Sequence, residues 1–243
     1  MIGAFADTQA YSSPIEVINS KRPLELGKFS IVDDDSVLSV DFSPHGGGLL
    51  AGVCISGQVK VWQVSEKSEV DHWPLLRVLR DSEGAQIDEF FTGNFLPNGQ
   101  FVVAGKRKHR HQWNESTGEA QSLPGLLKFF DLKSGKCIRR LGPCEENFAD
   151  KQKNSGHTDE VLFLKPISTA SKGNFILSCG QDGRLCRWSF SRDWNSFLGV
   201  SSAKLGNLVF HCDQISDELV GVAVDNGLVI YDILNMKVQL ICV

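Results

Sequence analysis

The chain has 243 residues, 42% of them hydrophobic and 22% charged, with a formal net charge of −4. That balance suits a globular protein with a sizeable core and excludes the strongly basic surface of a chain built wholly for nucleic acid. No run approaches the ~18 apolar residues of a membrane span, and Met1 to Asp7 lacks the basic start and long apolar stretch of a secretory signal, so no membrane association is expected.

Seven cysteines are present (Cys54, Cys137, Cys144, Cys179, Cys186, Cys212 and Cys242), with no Cys-x-x-Cys pair. Several sit inside apolar runs, as in Leu177-Ser178-Cys179 and Leu185-Cys186. They read as buried thiols, and a cytoplasmic or nuclear compartment is expected.

In chain order, short runs of Val, Ile, Leu and Phe alternate with turns of Gly, Asp, Asn, Ser and Pro. That rhythm predicts an all-β protein. Residues 2–6, 15–18 and 24–30 read as three strands of a partial unit over 1–31, which lacks a first strand. Residues 37–42, 49–54, 59–62 and 75–79 make a four-strand unit over 33–80. A stretched copy over 86–142 has strands at 90–95, 101–104, 127–131 and 137–141, with an insertion from Lys106 to about Gly125. The unit over 157–203 places strands at 161–164, 175–179, 184–190 and 197–201. The last, over 205–242, places them at 208–211, 218–224, 228–231 and 238–242. Four-strand units recurring every ~40–50 residues predict propeller blades, each with an apolar face that a neighbour must cover.

The unit over 157–203 also has Gly156-His157 before its first strand, Ser178 in the second, Asp182-Gly183 in the turn and Trp188 in the third. In this pattern and spacing the chain resembles the WD-repeat β-propeller family, along nearly its whole length. The resemblance implies that His157, Ser178, Asp182 and Trp188 form a buried structural tetrad, whose members satisfy one another's hydrogen-bonding needs. The other units depart from the pattern. At 33–80, Trp62 is present, but Gly52 and Ser56 stand at the Ser and Asp positions. At 205–242, Asp225 and Tyr231-Asp232 fit, but Gly221 stands for Ser; in the stretched unit Phe130-Asp131 stands for Trp-Asp. Against the family's rings of about seven or eight blades, about four to five blades predict an incomplete ring. Three explanations stay open: a piece of a longer protein, a ring completed by a partner or second copy, and an unusually small ring.

Beyond the repeats, Lys106-Arg107-Lys108-His109-Arg110-His111-Gln112-Trp113 opens the insertion. Lys106, Arg107, Lys108, Arg110 and Trp113 are candidate partner-binding residues. Four fixed positive charges attract phosphate or an acidic peptide, and Trp113 suits stacking or anchoring. The bland alternative is a solvated loop. The resemblance implies that the connection from Gly142 to Gly156, and Asp33-Asp34-Asp35, lie on the same face as the insertion, which makes the two enlarged loops a candidate binding surface, since loops on a rigid scaffold carry function. His109 and His111 lack a Cys or carboxylate at a helpful spacing, so no metal is expected. No Gly-rich phosphate loop leads from a strand into a helix, so neither a cofactor nor a small-molecule substrate is expected. His157, Ser178 and Asp182 also make a Ser-His-Asp set, but a hydroxyl buried at mid-strand offers no access to substrate.

These readings predict a non-enzymatic scaffold or adaptor that holds protein partners in a multiprotein complex. The first alternative is a nucleic-acid-associated propeller using the 106–113 loop. The lesser alternative is a hydrolase using His157 and Ser178.

Overall fold

The computed structural model describes residues 2–6, 15–19, 29–31, 35–44, 48–64, 73–81, 88–106, 113–114, 119–120, 125–142, 156–169 and 173–242. The described residues are nearly all strand. Strands β1 (Ile2–Ala6), β2 (Ile15–Asn19) and β3 (Phe29–Ile31) form a three-stranded antiparallel sheet at the N-terminal end. Of the strand expected over 24–30, residues 29 and 30 fall in β3 and residues 24–28 lie outside the described residues.

Four four-stranded antiparallel sheets follow. Sheet I holds β4 (Val37–Phe42), β5 (Leu49–Cys54), β6 (Val59–Gln63) and β7 (Leu75–Leu79). Sheet II holds β8 (Glu89–Phe95), β9 (Gln100–Lys106), β12 (Gly125–Asp131) and β13 (Cys137–Leu141). Between β9 and β12 lies a small hairpin of β10 (Trp113–Asn114) and β11 (Glu119–Ala120), which the strand rhythm does not reveal. Sheet III holds β14 (Val161–Thr169), β15 (Gly173–Gly180), β16 (Arg184–Phe190) and β17 (Phe197–Lys204). Sheet IV holds β18 (Val209–Gln214), β19 (Leu219–Val224), β20 (Gly227–Asp232) and β21 (Lys237–Cys242). Each sheet pairs its strands in simple chain order, first strand to fourth.

The sheets are copies of one plan down to their irregularities. Each first strand carries a register shift near its start, at Val37/Ser39, Phe90/Thr92, Val161/Phe163 and Val209/His211. Each third-to-fourth pairing carries another, at Val61/Trp62, Phe129/Phe130, Ser189/Phe190 and Ile230/Tyr231. A bulge bends a strand and increases its twist, and here it recurs at matching places in every sheet.

Stacking buries the faces. Ala51, Val53 and Val61 of sheet I meet Phe90, Phe101 and Phe130 of sheet II. Val102, Leu127 and Phe129 of sheet II meet Leu164, Ile176 and Trp188 of sheet III. Phe175, Leu177 and Cys179 of sheet III meet Val220, Val229 and Tyr231 of sheet IV. Each sheet therefore has a backward face carrying Trp62, Phe130, Trp188 or Tyr231, and the forward faces of sheets I, II and III meet the next sheet. At ~25 cal/mol per Å² of apolar surface removed from water, these interfaces dominate the stability of the stack. The second strands β5, β9 and β15 are mostly apolar runs because they are covered on both faces.

Candidate functional site

The most fully bonded polar cluster lies in sheet III. His157 precedes β14, Ser178 is in β15, Asp182 is in the turn to β16, and Trp188 is in β16. All four are buried. Trp188 Nε1 donates to Ser178 Oγ at 2.7 Å. His157 Nε2 lies 2.8 Å from the same oxygen, and His157 Nδ1 lies 3.0 and 3.1 Å from the two Asp182 oxygens. Asp182 also accepts the backbone N–H groups of Thr158 (2.8 Å) and Arg184 (3.0 Å). The cluster ties the segment before the first strand to the second strand, the turn and the third strand.

The backbone around it is built close. Gly183 has φ of 68°, which a side chain rarely adopts, and a Cβ there would collide with the Gly206 carbonyl in the connection from sheet III to sheet IV. A Cβ on Gly125 of sheet II would collide with the Asp159 carbonyl and would lie 2.9 Å from His157 Cβ. The cluster is thus closely fitted between sheet II and the connection that leads to sheet IV.

Burial of His157 works against its imidazolium, but the Cys186 sulfur and the Asp182 carboxylate favour it more, and its pKa is pushed up to about 10. Burial of Asp182 pushes its carboxyl up, but the His157 ring and the two backbone donors prevail, so its pKa lies below the usual carboxylate value. At neutral pH both ring nitrogens of His157 then donate, one to Ser178 and one to Asp182. Ser178 Oγ accepts from Trp188 and His157 together and is fully buried. A hydroxyl held this way braces strands and presents no nucleophile to a substrate.

The other sheets hold different residues at these places. Leu50 faces Trp62 across sheet I as Ile176 faces Trp188, so Gly52 stands where Ser178 stands. In sheet IV, Val220 faces Tyr231, so Val222 stands there and not the expected Gly221. The turn from β19 to β20 is one residue shorter than that from β15 to β16, which shifts the count. Asp225 in that turn accepts from the backbone and side chain of Asn207 (3.1 and 2.9 Å), as Asp182 accepts around His157.

Sheet II carries a buried ionic cluster instead. Lys128 in β12 is paired with Asp81 (2.5 Å) and Asp88, and its ammonium lies 5.7 Å from the Phe90 ring centre. Arg140 in β13 binds both Asp81 oxygens, at 2.6 and 2.8 Å. Asp81 follows β7 and Asp88 precedes β8, so the cluster ties the entry of sheet II to its third and fourth strands. Lys128 reads as one polar residue in an apolar run; two acidic residues flanking the preceding connection are the only sequence signal for its partners.

Of the candidate partner-binding residues, Lys106 is the last residue of β9 and pairs with Gly125, so the insertion proper is residues 107–124. Its ammonium is bound between Glu89 (3.3 Å) and Glu160, 5.7 Å from the centre of the Phe91 ring. Burial works against that charge, and Glu160 and Glu89 outweigh it, so its pKa is raised. Trp113 begins β10, opposite Ala120. Arg107, Lys108 and Arg110 lie outside the described residues, as do His109, His111, Asp33, Asp34 and residues 143–155. The described ends of the two long connections converge: Lys106 binds Glu160, Gly125 abuts His157 and Asp159, and a Cβ on Gly142 would lie 3.0 Å from the Gly125 carbonyl.

The family model described as "WD domain, G-beta repeat" matches residues 28–63 and 150–189. The matches fall on sheets I and III, the two that carry a tryptophan in the third strand. No curated protein matches the chain. The chain carries two matched WD repeats, and its four four-stranded sheets of one plan are consistent with the blades of a WD-repeat β-propeller.

Proposed function

We propose that the chain is a non-enzymatic scaffold that holds protein partners in a multiprotein complex, in the cytoplasm or nucleus. WD-repeat propellers serve as protein-interaction domains in general. The finer reading is supported by the convergence of Lys106, Gly125, Gly142 and Glu160, which sets the roots of the 107–124 and 143–155 connections side by side on sheets stacked through buried cores. Recognition there is by shape and charge on a rigid support, without a chemical step. The burial of Cys54, Cys179, Cys186 and Cys212 as free thiols in apolar interfaces supports a reducing compartment.

Affinity purification from cells, with the intact chain and with residues 107–124 replaced by a short Gly-Ser hairpin, tests this reading. Stoichiometric protein partners are expected with the intact chain and are reduced with the replacement. Recovery of no stoichiometric partner by the intact chain contradicts it. Recovery of nucleic acid that is lost steeply with added salt supports the alternative use of the basic loop.

A further inference from the structure

Two buried cysteines meet across the interface of sheets III and IV. Cys179 lies in β15 and Cys212 in β18, and both are shut from solvent, at 0% and 1% exposure. They share the core between those sheets with Phe175, Leu177 and Val220. The two strands lie side by side. Two contacts fix that alignment from either side of Cys212. Phe163, the cross-strand partner of Cys179, stacks on His211 with ring centres 3.9 Å apart, and Lys165 pairs with Asp213. The adjoining Cys212 thiol, together with burial, pushes the Cys179 thiol well above its ordinary value.

The other buried thiol of sheet III does not compete. Cys186 pairs with Ser178 while Cys179 pairs with Leu185, so the two cysteines point to opposite faces of the sheet. Cys186 packs toward sheet II and Cys179 toward sheet IV. Cys54 and Cys137 belong to sheets I and II, and Cys242 lies exposed on the outer strand of sheet IV. Among the described cysteines, Cys212 is therefore the one that faces Cys179.

We propose that Cys179 and Cys212 are a redox strap: exposed to a peroxide, they join as a disulfide that locks sheet III to sheet IV. In the closed stack neither thiol meets solvent, so the reaction begins when the two sheets part locally. One cysteine, as its thiolate, attacks the O–O bond and becomes a sulfenic acid, and a water leaves. The other then attacks the sulfenic sulfur, the S–S bond forms, and the hydroxyl leaves as a second water. The two thiols lose two electrons and two protons, and one peroxide becomes two waters. Because the sulfurs sit on separate sheets, a small slide of one sheet on the other supplies the Cα separation of about 4.4–6.8 Å that a disulfide needs. The bond closes residues 179–212 into a loop that holds β16, β17 and the connection to sheet IV, so it stabilises the two sheets as one unit. A reducing compartment keeps the strap open.

Peptide mapping of the full chain tests the proposal. Reduced protein is exposed to hydrogen peroxide in native buffer, remaining thiols are alkylated in denaturant, and the non-reduced tryptic digest is read by mass spectrometry. A linked pair of peptides 173–184 and 205–237 is expected, and it is lost on adding dithiothreitol. The oxidised chain is expected to melt about 5 °C or more above the reduced chain. Cys242→Ser removes the exposed thiol and is expected to keep both the link and the rise. Cys212→Ala is expected to lose both; if it does not fold, Cys179→Ala takes its place, and the wild-type map decides if neither folds. A wild-type digest in which Cys242 is oxidised while Cys179 and Cys212 are both recovered alkylated overturns the proposal. So does a link that forms only in unfolding concentrations of urea, or one that leaves the melting temperature unchanged.

Discussion

His157 bridges Asp182 and Ser178, with one ring nitrogen on each, so a single imidazole couples the turn of sheet III to its central strand. Removing Asp182 leaves a fully buried ring nitrogen without its acceptor. Asp182→Ala is expected to cost about 1–3 kcal/mol, read from chemical or thermal unfolding of the purified chain. An unchanged melting temperature would show that the cluster bears no load.

Trp188 fills the interface between sheets II and III beside Ile176 and Leu164. Trp188→Ala leaves a cavity there and frees the Ser178 hydroxyl, and is expected to cost about 3–5 kcal/mol. Trp188→Phe keeps most of the volume and loses only the N–H donor, so its cost should be the smaller of the two in the same unfolding assay.

Stability should depend on pH through the His157–Asp182 pair. The His157 pKa is raised from 6.5 to about 10, so its contribution is complete below pH 6.5 and is lost as pH rises toward 10. The Asp182 value is depressed below 3.8, so its contribution is complete above pH 3.8 and is lost as pH falls through the depressed value. Melting temperatures of wild type and His157→Gln are therefore expected to differ most between about pH 4 and 6.5 and to converge toward pH 10. A difference that grows with rising pH would contradict the charged imidazole.

Lys128 neutralises two buried carboxylates, Asp81 and Asp88. Lys128→Ala removes that counter-charge and is expected to cost about 3–5 kcal/mol. Adding Asp88→Asn to Lys128→Ala should recover part of the loss, so a double-mutant cycle measures the coupling. Strictly additive costs would show that the two groups do not act together.

The blades were legible because each strand is a short β-branched or aromatic run closed by a turn residue, and a packed sheet needs both. Ser178, Asp182 and Trp188 stood out because they share one hairpin, where register turns sequence spacing directly into contact. In sheet IV a turn one residue shorter moves Val222 into the place that counting assigns to Gly221. The Lys128 cluster was not legible, because its carboxylates come from either side of the connection between sheets and meet the lysine only through tertiary packing.

The central claim is that four sheets of one plan stack in chain order through buried faces. Native-state hydrogen exchange read by mass spectrometry tests it most directly, because the second strands β5, β9, β15 and β19 lie inside every sheet. The stack predicts strong protection of residues 49–54, 100–106, 173–180 and 219–224 alike. Protection limited to residues 157–204, with the other three segments exchanging freely, would contradict it.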